Sequence, residues 1–192
     1  MEVKIRKYTK SDAKALLALY YYTVHATNIK DYNPDQVNAW APTATEGIGS
    51  WNERLIHEKA VVAEAGNTIV GFGTLHDKGK SIGMLYVNPD FQGKGVGKAL
   101  LKKLEKKIKK KGEGETTVEV SITARPFFES RGYHWVRDNK KMLNVAEFLN
   151  YIMEKNLMAK KDKEKKKKNG KGHKKSHSHT IIGRVFPWIF GK

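Results

Sequence analysis

The run Met84-Leu85-Tyr86-Val87-Asn88-Pro89-Asp90-Phe91-Gln92-Gly93-Lys94-Gly95-Val96-Gly97-Lys98-Ala99-Leu100-Leu101 decides how this chain is read. Its opening residues are strand-forming and Asn88-Pro89 stops them, since proline brings no N–H to a ladder and Asn-Pro opens turns. Glycine then stands at alternate positions, Gly93, Gly95 and Gly97. From Val96 the apolar residues Val96, Leu100, Leu101, Leu104 and Ile108 recur on one helical face, with Lys102, Lys103, Lys106, Lys107 and Lys109 to Lys111 mostly on the other, up to Gly112. A strand, a glycine-rich loop and a helix in that order aim backbone N–H groups at an anion such as a phosphate. Glycines in such a run also serve plain flexible turns, so the spacing has to discriminate. A dinucleotide fingerprint needs a third glycine where Lys98 stands, and a P-loop needs glycine at Gln92 and Ser or Thr at Ala99. Neither fits.

Upstream, Met1 to Lys7 alternates like a strand, and Thr9 or Ser11 can cap a helix carrying Ala15, Leu16, Leu19, Tyr20 and Val24 at helical spacing. Val37 to Trp40 reads as a short helix among prolines and glycines, and Trp51 to His57 as a further helical turn or two. Ala60 to Ala65 and Thr68 to Leu75 flank Gly66-Asn67, a hairpin signal, and Ser81 to Val87 adds a third antiparallel strand. Downstream, Thr116 to Ile122 reads as a strand, Ala124 to Ser130 as a short helix, and Gly132 to Val136 as the start of another strand. The order β-α-(α)-β-β-β-α-β-α-β predicts an α/β (α+β) domain with a mixed, mainly antiparallel central sheet flanked by helices.

The chain has 192 residues, room for one domain and an appendage. Of its net charge of +17, residues 159–192 carry +10, from 12 Lys/Arg against two acidic residues. Domain residues 1–158 are therefore followed by a lysine- and histidine-rich linker, 159–180, expected to be disordered because it cannot bury enough surface. His173, His177 and His179 there read as a solvated run, and no metal site is expected. Ile181 to Phe190 within the final segment, 181–192, is apolar but broken by Gly183, Arg184 and Pro187, shorter than the ~20 residues of a membrane span. Basic residues beside Trp188 and Phe190 suit an anionic membrane surface, a partner, or packing on the domain. There is no cysteine, which excludes a disulfide framework, a thiolate metal site and a cysteine nucleophile. No secretory pattern is read at the start, so the expected location is cytoplasmic.

Gln92-x-x-Gly95-x-Gly97, the preceding Leu85-x-Val87-x-Pro89, and the later Ala124-Arg125-Pro126-Phe127-Phe128-Glu129-Ser130-Arg131-Gly132-Tyr133 together resemble the Gcn5-related N-acetyltransferase (GNAT) family. Tyr32 to Ala41 and Val120 to Glu129 are similar to its YafP-like subgroup, and the matches span about residues 3 to 155. The resemblance implies acetyl-CoA as co-substrate and the acyl-CoA N-acyltransferase fold. It implies that Leu85, Tyr86 and Val87 lend backbone groups to the pantetheine and the thioester oxygen, and that Gln92, Gly93, Lys94, Gly95, Val96, Gly97 and Lys98 hold the pyrophosphate. It further implies that the strand after Gly114 splays from the Met84 strand, so that Ser121, Phe127 and Phe128 flank the pantetheine.

Acyl transfer needs a held carbonyl, an oxyanion donor, an uncharged amine and a proton for the thiolate. Phe128 stands where many relatives carry the proton-donating tyrosine. Tyr133, Tyr86, His76, His25 and Tyr22 are the titratable substitutes, and no carboxylate on the Met84 strand offers a base, so acid and base stay unassigned. Trp40, Tyr22 and His25, among the aromatic residues of the N-terminal half, are candidates for an acceptor wall. Three readings stand: an N-acetyltransferase acting on a small-molecule or protein amine; a basic nucleic-acid or ribosome-associated module; and a coenzyme A-binding domain without catalysis. A homodimer is compatible with each.

Overall fold

The computed structural model describes residues 1–43, 47–144 and 146–158. The 159–180 linker and the 181–192 end, with the expectations attached to them, lie outside the described residues.

Strand β1 (Lys4–Lys7) leads into a short 3-10 turn and helix α1 (Ala13–Thr27). Asp12 closes that entry: its carboxylate accepts the Thr9 N–H at 2.8 Å and the Thr9 hydroxyl at 2.9 Å, and takes both terminal nitrogens of Arg6 at 2.6 and 2.8 Å. The buried stripe of α1 is Leu16, Leu17, Leu19, Tyr20 and Val24, whereas Ala15, expected on that stripe, is exposed. The other four expected residues stay on the stripe, and at its edge Leu17 is buried in place of Ala15, being the larger apolar side chain. Helix α2 (Pro34–Trp40) starts on a capping box in which Asn33 and Gln36 exchange side-chain-to-backbone bonds of 2.9 Å, with Pro34 in the first turn. Helix α3 (Ile48–His57) is longer than the turn or two expected from Trp51.

Strands β2 (Val61–Ala65), β3 (Thr68–His76), β4 (Ser81–Val87), β5 (Glu115–Ser121), β6 (His134–Leu143) and β7 (Ala146–Asn156) complete a seven-stranded sheet in the order β1-β2-β3-β4-β5-β7-β6. Only β4 and β5 run parallel; the other neighbours are antiparallel. The last strand, β7, was not among those read from the sequence, and it inserts between β5 and β6. Its core, Phe148-Leu149-Asn150-Tyr151-Ile152-Met153, shows no clean polar-apolar alternation, and its polar Asn150 is buried.

Helix α4 (Val96–Lys109) and the short α5 (Arg125–Glu129) pack on one face with Val61, Ala63, Leu75, Val118 and Val120. On the other face α1, α2 and α3 bury Leu16, Tyr20, Trp51 and Leu55 against Phe72, Met84 and Phe148. The sheet thus separates two cores. Gly71 and Gly73 make the approach of α4 possible: a Cβ on Gly71 would lie 3.2 Å from both Leu100 Cδ1 and Val96 Cγ1, and one on Gly73 2.9 Å from Leu104 Cδ1.

Candidate active site

The site is the wedge that opens between β4 and β5. These strands share the pair Ile82–Val118 and diverge beyond it. On the other side of β4, the Asn88 N–H donates to the Val70 carbonyl at 3.0 Å, and an antiparallel ladder alternates bonded and non-bonded pairs. Phe72–Tyr86 is therefore a bonded pair, while Gly71–Val87 and Gly73–Leu85 are not. The main-chain groups of Leu85 and Val87 consequently face away from β3, into the wedge. Those of Tyr86 are turned to β3, and its ring lies on the α1 face, edge-on to Tyr20 and stacked with Phe72.

At the end of the wedge the chain turns through Asn88, whose side chain caps the Asp90 N–H at 3.0 Å. Gln92 fixes the loop, its amide donating to Thr27 Oγ1 at 3.1 Å and to the Val87 carbonyl at 3.2 Å. Gly93 and Gly95 adopt φ of 72° and 85°, which side chains tolerate poorly, and nothing stands within 4 Å of a Cβ at either place. The first helical bond of α4 is Ala99 N–H to the Gly95 carbonyl, so the N–H groups of Val96, Gly97 and Lys98 point outward from a positive helix end. Lys94 and Lys98 are exposed beside them. An open loop, free N–H groups and two cations fit a pyrophosphate.

Phe127 packs over Gly97, where a Cβ would meet its ring at 3.3 Å, and it stands edge-on to buried Phe128. Ser121 lines the wedge with its hydroxyl accepting the Ala124 N–H at 3.1 Å. The cleft occupies about 1910 Å³. That exceeds the ~300–1,000 Å³ of a single small-molecule pocket and leaves room for a cofactor and an acceptor together.

The other residues singled out in the sequence are dispersed. Trp40 lines the cleft, and its carbonyl accepts the Tyr20 hydroxyl at 2.6 Å. Tyr22 projects from α1 at 45% exposure and His25 is tied to the Ala41 carbonyl at 2.9 Å; neither lines the cleft. Tyr133 is buried on the α4 side, donating to Glu105 at 3.2 Å, and does not reach the cleft either. Burial and the Glu105 charge push its hydroxyl well above the ordinary 10. Tyr86 does line the cleft, its hydroxyl raised by burial and pulled part of the way back by a bond with Trp40. His76 also lines the cleft, beside Glu58, which raises its pKa above 6.5.

Two carboxylates on the acceptor side were not read from the sequence. Glu119 directly follows the last shared pair of β4 and β5; it accepts Asn150 Nδ2 at 2.6 Å and is bonded by Lys141. Its one sequence signal is a charge inside Val118-Glu119-Val120, the polar face of a half-buried strand. Glu58, at the end of α3, is 6% exposed and accepts from Thr74 Oγ1 at 2.6 Å and Arg54 Nε at 2.9 Å. Burial raises its carboxyl, but His76, Arg54 and Thr74 together outweigh that and hold it below the ordinary value. Among the described residues no group of three or more His, Asp or Glu is arranged to hold a metal, and no helix is long and apolar enough to cross a membrane.

Residues 28–155 match the family model described as an acetyltransferase (GNAT) domain. The chain is 35% identical over 151 residues to the uncharacterized N-acetyltransferase YafP of Escherichia coli (strain K12), covering 79% of this chain and 94% of that protein. It is similar to the crystal structure of the GCN5-related N-acetyltransferase (aminotransferase, class-II) from Rhodopseudomonas palustris, with a TM-score of 0.77 at 31% identity over 81% of this chain and 96% of that one. The PaiA N-acetyltransferase of Thermoplasma acidophilum, solved in complex with coenzyme A, shares the fold at a TM-score of 0.66 and 22% identity, over 81% of this chain and 99% of that one. The wedge, the glycine loop and these relatives agree: the chain belongs to the GNAT family and is an acetyl-CoA-dependent N-acetyltransferase.

Proposed function

We propose that this enzyme transfers the acetyl group to a primary amine, of a small molecule or a protein, that enters from the face covered by α1, α2 and α3. The observation that carries the reading is the wedge, where the main-chain groups of Leu85 and Val87 meet no strand and run directly into the glycine loop. In this reading Leu85, Val87, Ser121, Phe127 and Phe128 hold the pantetheine arm, and Gly93 to Lys98 the pyrophosphate. Tyr86 contributes its side chain on the acceptor side. Its O–H stays protonated at neutral pH and is the proton source nearest in kind to the tyrosine that Phe128 replaces. A thiol of pKa ~8.5 leaves with modest assistance, so a poorly placed donor suffices. Glu119 stands beside the wedge as the carboxylate that receives the acceptor's ammonium and passes its proton on.

Acetyl-CoA is a cytoplasmic metabolite, which supports a cytoplasmic location. For residues 159–192 the +10 charge supports contact with a polyanion, a membrane face or nucleic acid, weakening as salt rises.

Calorimetric titration with acetyl-CoA, followed by thiol release in the presence of an amine and peptide panel, tests the reading. Binding with amine-dependent release is expected, and Gly95→Glu should abolish binding by placing a charged side chain at φ 85° in the anion cradle. Equal binding by the variant would overturn the assignment of the loop. Binding by the parent without release across the panel would favour a coenzyme A-binding module.

A further inference from the structure

The β3–β4 pairing changes register between Gly73–Leu85 and Leu75–Ile82, which leaves Thr74 facing both Gly83 and Met84. The extra residue is a bulge on β4, placed immediately before Leu85. A bulge strands a backbone donor, and here the Met84 N–H finds the Thr74 hydroxyl at 2.8 Å in place of a ladder carbonyl. That hydroxyl donates in turn to Glu58 Oε2 at 2.6 Å. Glu58 Oε1 is held by Arg54 Nε at 2.9 Å and lies 3.9 Å from His76 Nδ1. The relay is closed to solvent at its centre: Thr74 is 0% and Glu58 6% exposed.

Two features mark this arrangement as more than packing. A Cβ on Gly83 would fall 2.5 Å from Thr74 Oγ1 and 3.1 Å from Glu58 Oε2, so the strand is bare where the carboxylate lies on it. Burying a carboxylate also costs free energy that an apolar side chain of the same size would not. A valine at position 74 would pack in the same space, yet it would leave the Met84 N–H without a partner.

Resting on the reading of the wedge as the thioester site, we propose that Thr74 and Glu58 are positioning residues: they lock the β4 bulge and thereby fix the direction of the Leu85 N–H that meets the thioester oxygen. Glu58 acts only through Thr74 and touches neither substrate. The two hydrogen bonds determine how Met84 leaves the ladder, and that sets the plane of the next peptide.

The test needs no acceptor. Isotope-edited infrared spectroscopy of acetyl-CoA labelled at the thioester carbonyl reports the polarisation of that bond in the bound state, alongside calorimetric affinity and a thermal melt. In the parent the band is expected to lie below its position in free acetyl-CoA. Thr74→Val should lose at least half of that shift with affinity changed by less than about threefold, and Thr74→Ser, which keeps the hydroxyl, should retain it. Once an acceptor is found, the valine variant should lose about 10- to 100-fold in kcat with little change in the KM for acetyl-CoA. If Thr74→Val melts below the assay temperature, Glu58→Gln, which keeps the side-chain volume and removes the charge, carries the comparison and should show a reduced shift. A full shift in folded Thr74→Val or Glu58→Gln, or its loss in Thr74→Ser, overturns the positioning role while leaving the wedge intact. No shift in the parent overturns the wedge reading and this proposal with it.

Discussion

Asp12 shows what one residue contributes. Four hydrogen bonds, two from Arg6 and two from Thr9, converge on a carboxylate that is 6% exposed, and they hold its pKa down at about 2 against an ordinary 3.8, with the Arg6 bond the largest influence. Because the folded-state value is depressed, the stabilisation is present above the unfolded value and is lost as pH falls from about 4 toward 2. The difference corresponds to about 2 kcal/mol. Urea midpoints measured from pH 6 to pH 2 should therefore fall steeply in the parent. In Asp12→Asn the midpoint should be lower at pH 6 and flatter across the acid limb. The residue scale was partly legible. Gly93, Gly95 and Gly97 could be read because positive-φ and close-approach positions demand glycine locally. Thr74, Glu58 and Glu119 could not, since an isolated polar residue in a strand or at a helix end carries no sign of which neighbour it will face.

Among the elements, α4 joins the stability of the domain to the proposed cofactor site. Leu100, Leu104 and Ile108 are fully buried on the sheet, and Gly71 admits the helix only because it has no side chain. Gly71→Ala would press a methyl group to 2.8 Å from the Tyr86 carbonyl and 3.2 Å from Val96 and Leu100. Backbone cannot yield as a flexible side chain does, so a loss of about 1–3 kcal/mol is expected in urea unfolding. Since Val96 is in the first turn of α4, the same change should also weaken acetyl-CoA binding, which calorimetry would detect. A stability loss without loss of affinity would mean that the helix shifts as a body and carries its loop with it. The helix itself was readable in full from its apolar stripe. Strand β7 was not, because its pairing with β5 and β6, rather than its own composition, makes the stretch extended.

For the whole molecule, the described domain closes on itself at its end: the Leu157 N–H donates to the Gly114 carbonyl at 2.8 Å, and Met158 packs on Gly114. A chain stopped after Met158 should keep its melting temperature within about 2 °C and its acetyl-CoA affinity within about twofold, the surface-change regime for both quantities. Its retention on a polyanionic resin should fall markedly, because +10 of the +17 net charge is removed. Loss of folding on truncation would overturn the boundary at 158.

The strand, loop and helix of the proposed cofactor cradle, the antiparallel hairpins before it, and the family were legible from the residues alone. Each depends on residues close together in the chain, where glycine spacing, proline and apolar period act directly. Long-range packing set the rest: Tyr133 turns to Glu105 and away from the cleft, Glu119 stands beside the opening of the wedge, and Glu58 reaches Thr74 next to the bulge. Tyr133, in the turn before β6, and Glu58, at the end of α3, depend on which distant element packs against them, while Glu119 depends on which face β5 presents. A single bulged residue reverses that face, and only the packed partners on either side fix where the bulge falls.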